Sequence, residues 1–368
     1  MDKIKKNFGF GCMRLPMVGE EVDYEEFSRM IDTFLDAGFN YFDTAHGYIS
    51  GKSETAIRDC LAARHPRERY ILTNKLTDSY FKCREDIRPL IQHQLEQCGV
   101  EYFDFYLMHA LNNKRFDFFQ SCGAFDEALQ LKAEGKIRHM GISFHDNAAA
   151  LDRILTERPD IEVVQIQFNY LDYEDPNVES RKCYEVCRKH NKPVIIMEPV
   201  KGGTLANMSQ DALAVYKELG DMSPASYAIR FAAGFDGVMM VLSGMGNMDM
   251  MNDNLSYMRD FQPLNGKELE AVGKVTDILL QQRLVPCTAC RYCVDGCPAG
   301  IQIPDLFTAL NAKRSLRRPD ADDQYRKVIE NGSGKASDCL KCGKCEDICP
   351  QHLEIRKLLE MTGYFFDR

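Results

Sequence analysis

The sequence predicts an α/β protein: a closed (β/α)8 barrel followed by a small, mainly α-helical domain. Two observations carry this. Over about the first 260 residues, eight short apolar runs alternate with amphipathic segments, the pattern of strands buried on both faces beneath a layer of helices. Beyond Pro286 the chain changes to two cysteine-rich blocks set among helical stretches.

The apolar runs begin with FGFGCMRL and continue as FNYFDTA, YILTNK, FDFYLMH, IRHMGIS, VVQIQFN, PVIIMEP and GVMMVLSG. Between them lie helix-like segments such as YEEFSRMIDTFLDAG, REDIRPLIQHQLEQCG and GAFDEALQLKAEG. Each of these ends in a glycine, placed where a helix C-terminus wants a left-handed residue. Eight strand–helix units in about 250 residues are what a closed parallel barrel requires. The alternative is an open doubly wound sheet, which usually announces its phosphate loop as G-x-G-x-x-G after the first strand. Here GFGCMR lacks the third glycine. After RDFQPL, the stretch NGKELEAVGKVTDILLQQRLVP has helical spacing, with Leu269, Val272, Val275, Ile278 and Leu279 on one side. The expected organisation is a barrel over 1–264, a linker helix over 265–285 and a cysteine-rich domain over 286–368.

Of the 368 residues, 45% are hydrophobic and 27% charged, ordinary for a soluble globular chain. A net charge of −9 argues against nucleic acid as a partner, because neutralising phosphates needs a basic face. No window reaches the roughly 18 apolar residues of a membrane span, and the N-terminus lacks the apolar core of a signal peptide. The expectation is a soluble, cytoplasmic protein. Of 15 cysteines, eight lie in the two blocks; Cys12, Cys60, Cys83, Cys98, Cys122, Cys183 and Cys187 are scattered. In a large chain without a signal peptide these seven read as free thiols packed as small apolar groups, which favours a reducing interior.

Both blocks have the form C-x2-C-x2-C-x3-C-P: Cys287, Cys290, Cys293 and Cys297 before Pro298, and Cys339, Cys342, Cys345 and Cys349 before Pro350. Three thiolates spaced by two residues can wrap one side of an iron–sulfur cube, since each intervening pair makes one tight turn. Four thiolates can also hold zinc, but paired C-x2-C knuckles would leave the last two cysteines of each block without a use. The blocks resemble bacterial-type ferredoxin domains over about the last 80 residues. In that family the fourth cysteine of a run ligates the partner cluster. The resemblance therefore implies two [4Fe–4S] clusters, one on Cys287, Cys290, Cys293 and Cys349, the other on Cys339, Cys342, Cys345 and Cys297. The segment between the blocks is long and helical, so the domain is expected to be a helical variant of the ferredoxin-like fold.

In such a barrel catalysis sits at the C-terminal ends of strands. Polar residues stand there on three consecutive strands: Asp43 and Tyr48, Lys75, and His109. A tyrosine is a poor proton donor at neutral pH, but a neighbouring ammonium favours its phenolate. Asp43 would neutralise Lys75, and His109 could donate to a substrate oxygen. Taken singly, each residue has a plainer reading: an ion pair supporting closure, a core histidine, a loop tyrosine. Together, DTAHGY, Lys75 and His109 resemble the aldo-keto reductase family over residues 5–262. The resemblance implies hydride transfer between a nicotinamide cofactor and a small carbonyl or alcohol substrate, with Tyr48 protonating the developing alkoxide.

It also implies a dinucleotide site. Cys12 and Met13 follow the first strand; Ser143 and Gln165 meet the carboxamide; Met197, Pro199 and Gly203 follow the seventh strand. Ser243, Gly244, Met245 and Asn254 follow the eighth, Asn254 matching an adenine contact. Met197 stands where the family commonly stacks an aromatic on the nicotinamide, and Met250 where many members place an arginine on the 2′-phosphate, so NADP and NAD both stay open. His46 and His145 also fall at the mouth, and Phe116, Phe118 and Phe119 could line an apolar substrate site, although phenylalanines at helical spacing more often pack a core. A nicotinamide gives two electrons at once and each cluster takes one, so exchange between them usually needs a flavin; no flavin fingerprint is present, although barrels can bind flavin phosphate without one. Three functions follow: a reductase whose clusters exchange electrons with a redox partner protein, a reductase with structural clusters, or an electron-transfer module with a degenerate barrel site.

Overall fold

Mainly apolar runs leave little polar face for water, and each of the eight becomes a strand of one parallel sheet. In the computed structural model these are β1 (Phe8–Gly11), β4 (Tyr41–Asp43), β5 (Ile71–Leu76), β6 (Phe103–Leu111), β7 (Ile137–Phe144), β8 (Val163–Gln167), β9 (Val194–Met197) and β10 (Val238–Ser243). The structure describes residues 1–368 except Asp2, Ser315 and Arg368; these three, inside the predicted domains, lie outside the described residues. β1 pairs in parallel with both β10 and β4, closing the sheet into a barrel in the order β1-β10-β9-β8-β7-β6-β5-β4. That closure excludes the open sheet. Its interior packs Tyr41, Phe105, Leu107, Val163, Met240 and Leu242 against one another.

A short antiparallel hairpin, β2 (Met17–Val18) and β3 (Glu21–Val22), adds an element the sequence reading did not assign. Two-residue strands carry no periodicity to read.

The helices form for local reasons. In Tyr24–Asp36 the Asp23 carboxylate caps the Glu26 amide, and Phe27, Met30, Ile31, Phe34 and Leu35 fall on the buried face. The glycines ending three predicted helices, Gly38, Gly99 and Gly135, all adopt positive φ (89°, 66° and 78°). Of the scattered thiols, six are buried and Cys83 is exposed; Cys83 precedes a helical turn instead of packing in the core.

By contact density the chain divides into Met1–Pro199 with Ala225–Leu264, and Val200–Pro224 with Asn265–Arg368. The second unit is helical: Gln210–Lys217, Gly266–Gln282, Ile303–Arg314, Ala321–Glu330, Lys344–Ile348 and Ile355–Phe366, with no strand among its described residues. Asn265 and Glu268 form a capping box at the start of Gly266–Gln282, satisfying two of the helix's orphan donors. Ile303, Leu306, Phe307, Leu310, Ile355 and Leu359 form its core.

One close approach ties this unit together. Gly202 has φ +61°, and a Cβ added to it would lie 2.3 Å from the Thr288 carbonyl oxygen, in the loop between Cys287 and Cys290. Gly202→Ala is therefore expected to lower the melting temperature by several degrees, since a left-handed alanine costs about 1–2 kcal/mol before any steric displacement. Gly273, on a helix with nothing within 4 Å of an added Cβ, is the control: Gly273→Ala should leave the melt unchanged or raise it. Both melts are to be recorded anaerobically at matched iron content.

Candidate active site and cluster-binding centres

The ends of β4, β5 and β6 converge because they are neighbours in the closed sheet. Lys75, on β5, is 1% exposed. A buried ammonium must place all three of its protons, and Lys75 does so. Its Nζ donates to Asp43 Oδ1 at 2.5 Å, to the Thr44 carbonyl at 2.9 Å and to Tyr48 Oη at 3.1 Å. Tyr48 Oη is the acceptor in that contact, so its own proton is not spent on Lys75. Gln165 Nε2 approaches Asp43 Oδ2 at 3.4 Å. Burial lifts the Asp43 carboxyl above its ordinary value, while the Lys75 ammonium and the Gln165 amide pull it down.

Behind Lys75 a buried polar network holds the strand. Asn74 accepts from the Lys75 amide (2.8 Å) and from Gln94 Nε2 (3.1 Å), and donates to Glu54 Oε1 (2.8 Å). Glu54 Oε2 meets His46 Nδ1 at 2.6 Å. His46 is thus engaged with a buried carboxylate rather than simply lining the mouth. Glu54, Asn74 and Gln94 were not singled out in the sequence; Glu54 and Gln94 lie in helical segments already rich in polar residues, and only Asn74, inside a strand run, offered a signal.

His109 is buried at the end of β6, its ring 6.1 Å from that of Tyr48. Its Nδ1 lies 2.7 Å from Thr77 Oγ1. Burial, with the positive fields of Lys75, His145 and Arg115, holds its pKa well below the ordinary imidazole value, so the ring is neutral at physiological pH. Backbone strain sits beside two of these residues: Ile49 and Ser50, after Tyr48, have φ 52° and 53°, and Ala110, after His109, has φ 54°. Left-handed non-glycine residues cluster at functional sites.

The depressed His109 pKa has a consequence for stability. An unfolded imidazole titrates near 6.5, and the folded one far lower, so below about pH 6.5 the unfolded chain binds the extra proton. Stability is full above that pH and declines as pH falls beneath it. Denaturant unfolding at pH 7.5 and 5.5 should show a smaller loss for His109→Gln than for the parent chain.

The other predicted contacts are distributed as follows. Cys12 is buried after β1, its amide donating to the Asp43 carbonyl at 2.8 Å, and Met13 is half-buried beside it. Ser143 Oγ accepts from the Ala110 amide at 2.7 Å. Met197 ends β9, and Pro199 is buried two residues on. Gly203 belongs to the second unit. Ser243 and Asn254 are joined, Asn254 Nδ2 to Ser243 Oγ at 2.8 Å, and Tyr257 donates to Asn254 Oδ1. Gly244 is half-buried and Met245 fully buried. Phe116 and Phe119 are core residues and Phe118 packs on Phe81, ring centroids 5.3 Å apart.

The eight block cysteines surround two cavities. One is lined by Cys287, Cys290, Cys293 and Cys349; the other by Cys297, Cys339, Cys342 and Cys345. The loops repeat a backbone rhythm: Ala289 and Lys341, before each second cysteine, have φ 52° and 56°, and Arg291 and Gly343, after it, 65° and 82°. These paired reversals turn the three neighbouring side chains toward one space. Among the described residues no group of three or more His, Cys, Asp or Glu is gathered tightly enough for a single metal ion. Each cavity is instead ringed by four cysteine side chains, the donor set of an iron–sulfur cube.

Barrel, polar strand ends and thiolate cavities together define an oxidoreductase with an iron–sulfur domain. Residues 7–277 match the aldo/keto reductase family model, and the chain belongs to that family. Residues 286–353 match the 4Fe-4S dicluster domain. An uncharacterised oxidoreductase of Schizosaccharomyces pombe is 26% identical over 269 residues, 69% of this chain and 82% of that one. The NADH-specific methylglyoxal reductase of Escherichia coli is 28% identical over 195 residues, 48% of this chain and 57% of its own length. The holo form of an aldo-keto reductase from Bacillus halodurans superposes with TM-score 0.60 at 23% identity, covering 74% of this chain and 92% of that one. An aldo-keto reductase from Klebsiella pneumoniae in complex with NADPH gives TM-score 0.59 at 19% identity, over 73% and 90%. These two share the fold. No helix among the described residues is long and apolar enough to cross a membrane.

Proposed function

We propose that the chain interconverts a small carbonyl compound and its alcohol with NADH or NADPH, using Tyr48 as the acid–base group. The observation that carries this is the buried Lys75 ammonium shared by Asp43 and Tyr48. A bound nicotinamide would supply or accept the hydride at the substrate carbon. Tyr48 Oη gives its proton to the developing alkoxide oxygen, and the adjacent Lys75 charge stabilises the phenolate left behind. Asp43 holds Lys75 in place and neutralises it in the dry barrel mouth. The donor set suits a carboxamide: Ser143 already accepts from Ala110 and keeps its own hydroxyl proton to give, and Gln165 stands beside Asp43.

The second unit fits two [4Fe–4S] clusters, Cys349 completing the first set and Cys297 the second, and these would add one-electron carriers for exchange with a partner protein. A second reading has its own support: Cys287, Cys297, Cys339, Cys345 and Cys349 pack against the second unit's core, so the clusters could serve mainly to hold that unit together. Anaerobic titration with NADH and NADPH, following the visible cluster band and the nicotinamide absorbance together, separates these. Bleaching of the cluster band with substrate-reversible recovery supports electron exchange. Carbonyl-dependent nicotinamide oxidation with an unchanged band supports structural clusters, and failure of both nucleotides to bind removes the reductase reading.

A further inference from the structure

We infer that Thr77 is a positioning residue: its hydroxyl donates to His109 Nδ1 and so keeps the imidazole proton on Nε2, making His109 a hydrogen-bond donor to the substrate oxygen. This rests on the acid–base reading of the barrel mouth given above. The contact is 2.7 Å between Thr77 Oγ1 and His109 Nδ1. Because His109 is held neutral by burial, it carries one ring proton, and which nitrogen bears it is set by the partner of the other. An Nε2 without a proton would turn a lone pair toward a carbonyl oxygen and repel it; an Nε2–H would polarise it.

The backbone on both sides of the pair is pinned. Arg115 Nε donates to Asp78 Oδ2 at 3.0 Å, next to Thr77, and Arg115 Nη1 donates to the Ala110 carbonyl at 3.0 Å, next to His109. The Ala110 amide is spent on Ser143, and Ala110 is held in a left-handed conformation. One guanidinium thus clamps the ends of β5 and β6 together across the Thr77–His109 contact. Such fixing of an imidazole tautomer by a second residue is the role of the buried aspartate in serine proteases, where the wrong tautomer is far more costly than lost packing.

The test is Thr77→Val, which keeps the shape and removes the hydroxyl, beside Thr77→Ser, which keeps the hydroxyl. In the full-length, cluster-loaded protein labelled with ¹⁵N-histidine, the His109 ring signals are assigned by their loss in His109→Gln. The parent chain should show His109 protonated on Nε2, and Thr77→Val should lose that preference. Kinetically, Thr77→Val should lower kcat by about 10- to 100-fold with little change in nucleotide affinity, and Thr77→Ser should stay within about threefold of the parent. A parent ring protonated on Nδ1, or a valine variant with unchanged tautomer and unchanged kcat, overturns the assignment. The ring spectra decide the tautomer whether or not Tyr48 proves to be the acid, so failure of the wider reading is seen separately, in Tyr48→Phe.

Discussion

Tyr48→Phe is expected to lower kcat for carbonyl reduction by about 10³-fold while leaving NADH or NADPH affinity within a few-fold of the parent. General acid catalysis is worth about 10²–10⁴ in rate, and 10³ corresponds to about 4 kcal/mol. The substitution removes one oxygen and little else: the ring stays buried, and Asp43 and the Thr44 carbonyl still hold Lys75. The change therefore falls on proton delivery and not on the architecture. It is measured as nucleotide oxidation against a panel of small aldehydes and ketones, with nucleotide affinity from fluorescence quenching. A variant keeping more than about a tenth of parental turnover would take Tyr48 out of the acid role. Loss of nucleotide binding together with turnover would point to a collapsed site instead.

Paired cysteine replacements should distinguish how the two blocks share their ligands. Cys293 and Cys349 line the same cavity, whereas Cys293 and Cys297 line different ones. Cys293→Ala with Cys349→Ala should therefore strip one cluster, reducing iron from about eight to about four per chain if each cavity holds a four-iron cube. Cys293→Ala with Cys297→Ala, though confined to one block, should damage both clusters and leave little iron. If each block served its own cluster, the two outcomes would be exchanged. Iron and sulfide analysis with low-temperature electron paramagnetic resonance reads the result. A double variant of either kind that keeps all its iron would refute thiolate ligation by these residues.

The barrel was legible because parallel strands buried on both faces leave continuous apolar runs, and because glycines such as Gly99 mark helix ends by a conformation other residues avoid. Asp43, Lys75 and His109 were legible as polar residues closing apolar runs, where a strand end is the only site that suits them. The pairing of Thr77 with His109 was not. It depends on the register of β5 against β6 and on a side chain one residue beyond a strand, neither of which leaves a periodic trace. The grouping of Val200–Pro224 with the C-terminal region was equally hidden. Its composition does not differ from the barrel around it, and its defining contact is a glycine meeting a backbone 86 residues on, between Gly202 and Thr288. The hairpin at Met17–Val22 is too short for any pattern.

That excursion makes the iron–sulfur region inseparable from its host by simple cutting. A fragment ending at Leu264 would retain Val200–Pro224 but delete its companions: helix Gln210–Lys217 would lose Gly266–Gln282, which it packs against, and Gly202 would face vacancy where Thr288 had been. Conversely, an isolated tail beginning at Asn265 would lack a piece of itself that is encoded mid-barrel. Any gene fusion or shuffling event that treated the cysteine blocks as a cassette would have to carry both pieces, and loss of iron would be felt in a segment that begins three residues after a barrel strand.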